Sequence, residues 1–201
     1  MLELIVPAVI LTGFNNPSFE QSVLATDVWV YNARDWQVSG DAGVWAPNEI
    51  AYISREYDRN NVGFVQTGWA MPQGTLSTWI KLDDATTYRF GYLSATRLDN
   101  PLLFDSYNFN IYDTNNALVY GQTRYINDRG VWAQQYHTFA TSGTNASLYR
   151  DYRVEFLVNN TGQLNIDMVT VTEVIPSPGT IVLGMGALAL IRRKRYGVHG
   201  F

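Results

Sequence analysis

The stretch Arg153-Val154-Glu155-Phe156-Leu157-Val158-Asn159-Asn160-Thr161-Gly162-Gln163-Leu164-Asn165-Ile166-Asp167-Met168 holds the pattern on which the fold turns. Val154, Phe156 and Val158 alternate with Arg153 and Glu155. After the Asn-Asn-Thr-Gly break, Leu164, Ile166 and Met168 alternate with Asn165 and Asp167. A period of two bounded by turn formers marks paired strands with one apolar face, because successive side chains on a strand point to opposite sides. The period recurs upstream in Tyr88, Phe90 and Tyr92 and in Tyr107, Phe109 and Ile111. Asp113-Thr114-Asn115-Asn116 and Asn127-Asp128-Arg129-Gly130 supply further turns. No helical period lasts three turns before Pro176. Roughly eight to ten short strands at this spacing predict an all-β chain, an antiparallel β-sandwich or jelly roll over residues 1–173. Residues Ala46 to Gln73 are less regular and are read as long loops.

Composition narrows the function. The 201 residues are 46% hydrophobic, 14% aromatic and only 16% charged, enough for one domain with a sizeable core. Cysteine is absent, which excludes disulfides, thiolate metal sites and a Cys nucleophile. With only His137 and His199, a multi-histidine metal centre is excluded as well. Of the 14 cations, four are Arg192, Arg193, Lys194 and Arg195. Without the residues from Gly179 onward, 10 cations face 18 anions and the body carries −8. Such a body repels phosphate backbones, so no nucleic-acid partner is expected.

The two ends read differently from the middle. Leu2 to Leu11 has no Lys or Arg before it, Glu3 at its head and Pro7 within it, so it is read as a first strand, with a degenerate signal core as the alternative. After Thr172, Pro176-Ser177-Pro178-Gly179 breaks the strand pattern. Thr180 to Ile191 is uncharged and apolar on every face, and the basic run follows at once. Twelve helical residues rise about 18 Å, short of a bilayer core of about 30 Å, but flanking cations that hold a cytoplasmic end favour a membrane segment over a helix packed on the sandwich.

This order of Pro176, Ser177, Pro178, Gly179, Thr180, apolar stretch and basic stop resembles the PEP-CTERM sorting tail of bacterial exported proteins. The commonest form has Pro-Glu-Pro where Ser177 stands, and residues Tyr196 to Phe201 extend past the cations. The resemblance implies an exosortase-type processing enzyme as partner, export, inner-membrane tethering before processing, and then the cell surface or matrix. It divides the chain into a sandwich (1–173), a Pro-rich motif (174–180), an apolar membrane segment (181–191) and a basic cytoplasmic tail (192–201). The body carries a second resemblance. Asn16-Pro17-Ser18-Phe19-Glu20, Trp36, Gly43-Val44-Trp45 and Ile166-Asp167-Met168-Val169 are similar to galactose-binding-like jelly rolls, a fold shared by carbohydrate-binding modules. That family implies a structural calcium held by Glu20 and Asp167, with no organic cofactor. On its own chemistry, a carboxylate within an apolar strand needs a partner or water; a hard cation and the solvated outer sheet face are both open to Asp167.

Six Trp invite a sugar-stacking reading, although a sandwich also needs aromatic filler. Trp36, beside Val38, reads as core. Trp69, between Gly68 and Ala70, reads as a surface candidate, and Arg97 as a ligand-binding candidate or a partner of nearby carboxylates. His137 reads as a face residue of a strand. No Gly-x-Ser-x-Gly elbow, phosphate loop or His-Glu-x-x-His helix is present. The expectation is therefore a non-catalytic, exported protein that binds carbohydrate, with exopolysaccharide as the candidate. The alternatives are a purely structural surface protein, or a hydrolase or lyase using two carboxylates.

Overall fold

A computed structural model of the chain describes residues 10–11, 14–53, 57, 60–67, 72–99, 106–126, 128–144, 148–159 and 162–175. Twelve strands run through them: β1 (Ile10–Leu11), β2 (Trp29–Val30), β3 (Gln37–Ser39), β4 (Ala42–Trp45), β5 (Val62–Thr67), β6 (Thr75–Asp83), β7 (Thr87–Ala95), β8 (Ser106–Tyr112), β9 (Leu118–Tyr125), β10 (Ala133–Ala140), β11 (Tyr149–Val158) and β12 (Gly162–Glu173). Every pairing is antiparallel. One sheet is ordered β10-β7-β12-β5-β4-β2, with β1 also on β12; the other is ordered β3-β6-β11-β8-β9. Among the described residues there is no helix, and none long and apolar enough to cross a membrane. The expected sandwich is present. The C-terminal helix, the sorting motif Pro176 to Thr180 and the basic run lie outside the described residues.

The alternating residues build the core. Tyr88, Phe90 and Tyr92 of β7, Leu164 and Ile166 of β12, Tyr107, Phe109 and Ile111 of β8, and Val154, Phe156 and Val158 of β11 meet between the sheets. Turn chemistry matches the sequence at the β8–β9 hairpin. The Asp113 carboxylate accepts the Asn115 and Ala117 N–H groups, and Asn116 takes the left-handed conformation at φ 50–60° that Asn tolerates (59°). Residues 14–20 plug the core with Phe14 and Phe19. Phe19 packs at 5.1 Å from the Trp36 ring and lies over Gly63, where a Cβ would approach its ring to 2.6 Å. Trp36 is core, as read, and its indole N–H donates to the Asn16 carbonyl.

Three readings are corrected. The stretch 46–73 is not loop throughout, since β5 lies within it and pairs with β4 and β12. The alternation in β12 stops at Asp167. Asp167 pairs with Leu93 and Thr170 with Gly91, so Met168 and Val169 together oppose Tyr92 in a β-bulge. Met168, at φ 50°, is pushed out to solvent, and Val169 takes the inward place the sequence assigned to Met168. Finally, Asp167 is on the outer face of its sheet, yet it is fully buried rather than solvated.

His137 is a face residue of β10, on the inner face. Its ring stacks on Phe109 with centroids 4.4 Å apart. Nε2 lies 2.9 Å from the Tyr92 hydroxyl and Nδ1 3.2 Å from that of Tyr120. Burial, reinforced by the nearby Arg124 cation, pushes its pKa down from 6.5 to about 4.

Candidate functional site

Antiparallel sheets usually bury one face, but here part of the second face is covered too. On the outer side of the larger sheet, Trp45 (β4), Val62 and Phe64 (β5), Leu93 and Ala95 (β7) and Trp132, just before β10, form a second apolar cluster. The segment after β4 roofs it with Ala51, Tyr52 and Tyr57. Leu98 N–H donates to the Ala51 carbonyl and Ile53 N–H to that of Gly130, both at 2.8 Å, fastening the roof to its neighbours. Gly130, at φ 70°, is needed there, since a Cβ would come 2.9 Å from that of Leu98.

The four large rings face one another at several angles. Tyr52 is 6.2 Å from Trp45, 5.5 Å from Tyr57 and 4.9 Å from Trp132, and Tyr57 is 5.4 Å from Trp132. Below them runs β12. Leu164 and Ile166 point into the main core, so Asn165 and Asp167 point to the aromatic side. The register confirms this: Asn165 is flanked by Phe64 and Ala95, and Asp167 by Leu93, all three belonging to the second cluster. Asn165 and Asp167 are both 0% exposed. One Asp167 oxygen accepts the Met168 N–H at 2.7 Å. The Tyr52 hydroxyl is pushed well above its ordinary pKa, first by burial and then by Tyr57, and Asp99 and Asp167 add to this against the opposing pull of Arg97. Asp167 therefore contributes to the electrostatics of the aromatic cluster.

The polar atoms here are incompletely matched. Trp45 Nε1, Trp132 Nε1, the Tyr52 hydroxyl and both Oδ1 and Nδ2 of Asn165 are buried with no hydrogen-bond partner among the described residues. Native proteins rarely leave such groups unmatched, since each costs about 1–3 kcal/mol. Their concentration beside a buried carboxylate distinguishes this cluster from ordinary core.

The residues singled out from sequence fall in different places. Arg97 lies at the rim, its guanidinium carbon 4.4 Å from the Trp45 ring centroid, and grips Asp99 through Nε and Nη2 at 2.9 and 2.7 Å. That pairing holds the Asp99 carboxyl below its usual pKa. Trp69 lies outside the described residues. Trp29 and Trp79 are exposed elsewhere. Glu20 and Asp167 have different neighbours: Glu20 Oε1 accepts the N–H groups of Asn60 and Asn61 at 2.9 and 2.7 Å, closing a loop. Among the described residues no group of three or more His, Cys, Asp or Glu gathers as a cation's ligands would. The sequence reading singled out neither Tyr52 nor Tyr57, counted Trp132 only among the six Trp and placed Asn165 only in the alternation of its strand. It quoted Trp45 and Asp167, but not their sharing one side of a roofed sheet.

Comparison with solved structures supports the fold. A Stig cyclase, Fisc from Fischerella sp. TAU, bound to (3Z)-3-(1-methyl-2-pyrrolidinylidene)-3H-indole superposes with TM-score 0.67 at 14% identity, covering 82% of this chain and 97% of that one. A cyclase from Fischerella sp. TAU in complex with 4-(1H-indol-3-yl)butan-2-one gives TM-score 0.64 at 13% identity, covering 82% and 97%. The carbohydrate-binding module TmCBM61, solved with β-1,4-galactotriose, gives 0.51 at 14% identity, covering 81% and 98%. The sandwich expected from the carbohydrate-binding resemblance is therefore present. No curated protein sequence matches the chain.

The functional expectation drawn from that resemblance is overturned. A non-catalytic carbohydrate binder was expected because the known catalytic motifs are missing. Such motifs report only chemistry whose residues lie close together in sequence, and their absence leaves open a site assembled from separate strands. The family model described as HpiC1 cyclase matches residues 12–172, which is nearly the whole sandwich. Across residues 12–172 the chain belongs to the HpiC1-like cyclase family.

Proposed function

We propose that the chain is a cyclase acting on an apolar, aromatic-bearing alkene at the roofed outer face of the larger sheet, with Asp167 as its acid–base group. The observation that carries this reading is a fully buried carboxyl, on a bulged strand, on the side of the sheet occupied by Trp45, Tyr52, Tyr57 and Trp132. Ring closure of an alkene onto an aromatic system begins when a proton adds to carbon. The cation that forms is stabilised by aromatic faces and must be kept from water. Four rings supply the faces, and the Ala51–Tyr52 roof supplies the shield. Asp167 gives a proton to the substrate and takes one back when the ring has closed, so the product is an isomer and no co-reactant is consumed. The likeness to cyclases solved with indole compounds makes indole-bearing alkenes the first substrates to try.

The test incubates the full-length protein with a panel of indoles carrying unsaturated side chains and looks for products of unchanged mass. Asp167→Asn is expected to lower turnover by at least about 100-fold, a typical share for one acid–base group. It should still bind 4-(1H-indol-3-yl)butan-2-one, read by Trp fluorescence. Undiminished turnover in Asp167→Asn would remove this carboxyl from the chemistry. No isomeric product across the panel would reject the indole-alkene reading.

A further inference from the structure

The geometry points to a substrate that carries a ring-embedded cis-amide edge, an N–H beside a C=O as in a lactam, read by the side chain of Asn165. This inference rests on the proposed function only in taking the roofed cluster as a binding site. Asn165 is wholly buried, and neither its Oδ1 nor its Nδ2 has a hydrogen-bond partner among the described residues. Its flanks in the sheet are Phe64 and Ala95, and neither side chain can hydrogen-bond to it. The Asn165 side chain lies on the sheet face that carries the aromatic cluster. A primary carboxamide presents a donor and an acceptor on one edge. Its complement is an acceptor and a donor spaced alike on the partner, which is what a cis-amide offers and what an indole, with a single N–H, does not.

The remaining unmatched atoms fit the same ligand. A carbonyl oxygen has two lone pairs, so one is left after Asn165 has donated to it. The indole N–H groups of Trp45 and Trp132 are donors only, both are buried, and both lack an acceptor. Each is the kind of donor that the second lone pair would accept from. The Tyr52 hydroxyl, also unmatched, can serve in either role. Strand geometry then sets a ruler. Asn165 and Asp167 are two residues apart on the same face, roughly 7 Å. A flat bicyclic substrate with its amide edge on Asn165 lays its far side over Asp167, the distance at which an alkene substituent would meet the acid.

The probes are oxindole, which carries the full edge, N-methyloxindole, which lacks the donor, and 2-indanone, in which CH2 replaces N–H. Titrated into the full-length protein and followed by Trp fluorescence, oxindole is expected to bind at least about tenfold tighter than either analogue, as a buried polar group left unpaired disfavours them. Asn165→Leu should bind all three alike, and its melting temperature should hold or rise because two unmatched polar atoms are removed. Asn165→Asp, which keeps the shape and loses the donor, should also lose the preference. Equal binding of the three probes by the unaltered protein, or failure of oxindole to bind, would overturn the inference. So would a preference that survives Asn165→Leu, or a marked fall in that variant's melting temperature, which would make Asn165 a structural residue. An intact oxindole preference without cyclisation of any alkene in the panel sustains the lactam edge while removing the indole-alkene reading. Cyclisation without the preference does the reverse.

Discussion

His137 shows how far a single residue can be read. Its place in the run Tyr136-His137-Thr138-Phe139 gives the alternation correctly, but which face turns inward depends on β7, forty-odd residues earlier in the chain and laid alongside by the fold. Once inward, the imidazole is held between the Tyr92 and Tyr120 hydroxyls, with one nitrogen donating and the other accepting. It titrates near pH 4 rather than 6.5. The unfolded chain therefore takes up a proton between those values while the folded chain does not, and that difference favours unfolding. Stability should be level on this group's account above about pH 6.5 and fall as the pH drops toward 4, by up to about 3 kcal/mol. Urea midpoints at pH 7, 5.5 and 4.5 measure the slope, and His137→Gln should flatten it. An equal slope in that variant would place the acid sensitivity elsewhere. Asn165 and Asp167 illustrate the complementary limit. Their shared face is legible from the period of two, but not the roof over it, because Ala51, Tyr52 and Tyr57 carry no pattern that announces where they land.

At the scale of the element, β12 was legible up to Ile166 and not beyond. Met168 is apolar and fits the alternation, so nothing in the sequence marks it as the extra residue. The bulge becomes visible only against Tyr92, which faces both Met168 and Val169. The bulge frees the Val169 N–H to donate to the Pro17 carbonyl at 3.1 Å, tying the N-terminal plug to the last strand. It also sets the direction of Asp167, whose carboxylate takes the Met168 N–H. Deleting Met168 leaves the register intact on both sides and restores a regular strand. The deletion should fold, since relief of the positive φ offsets the loss of one hydrogen bond of about 1 kcal/mol. With the carboxyl re-aimed, turnover should fall as it does in Asp167→Asn while the melting temperature moves by only a few degrees. Full turnover in the deletion would show that the bulge has no part in placing the acid.

For the whole molecule, the two-sheet architecture was legible because nearly every inward position is aromatic or β-branched, as in Val154, Phe156 and Val158. The roofed aromatic face was not, because it is assembled from β4, β5, β7, β12 and a loop. The sorting tail resembled from Pro176 onward makes a separate claim. Cells expressing the full chain should carry it in the membrane or surface fraction, and cells expressing a form ending at Ile175 should release it; equal soluble recovery of both would reject sorting. β12 itself bears on how such a tether would behave. Its last residues are bonded to β7 on one flank and to β1 on the other, through pairs such as Val171 with Phe90 and Leu11. A chain leaving from a strand clasped on both sides transmits tension along its length, so a pull from the tail loads those hydrogen bonds together in shear instead of unzipping them one by one from an edge. Were the tail tethered, drag on the domain would fall first on this strand, which belongs to the same sheet as the roofed aromatic face.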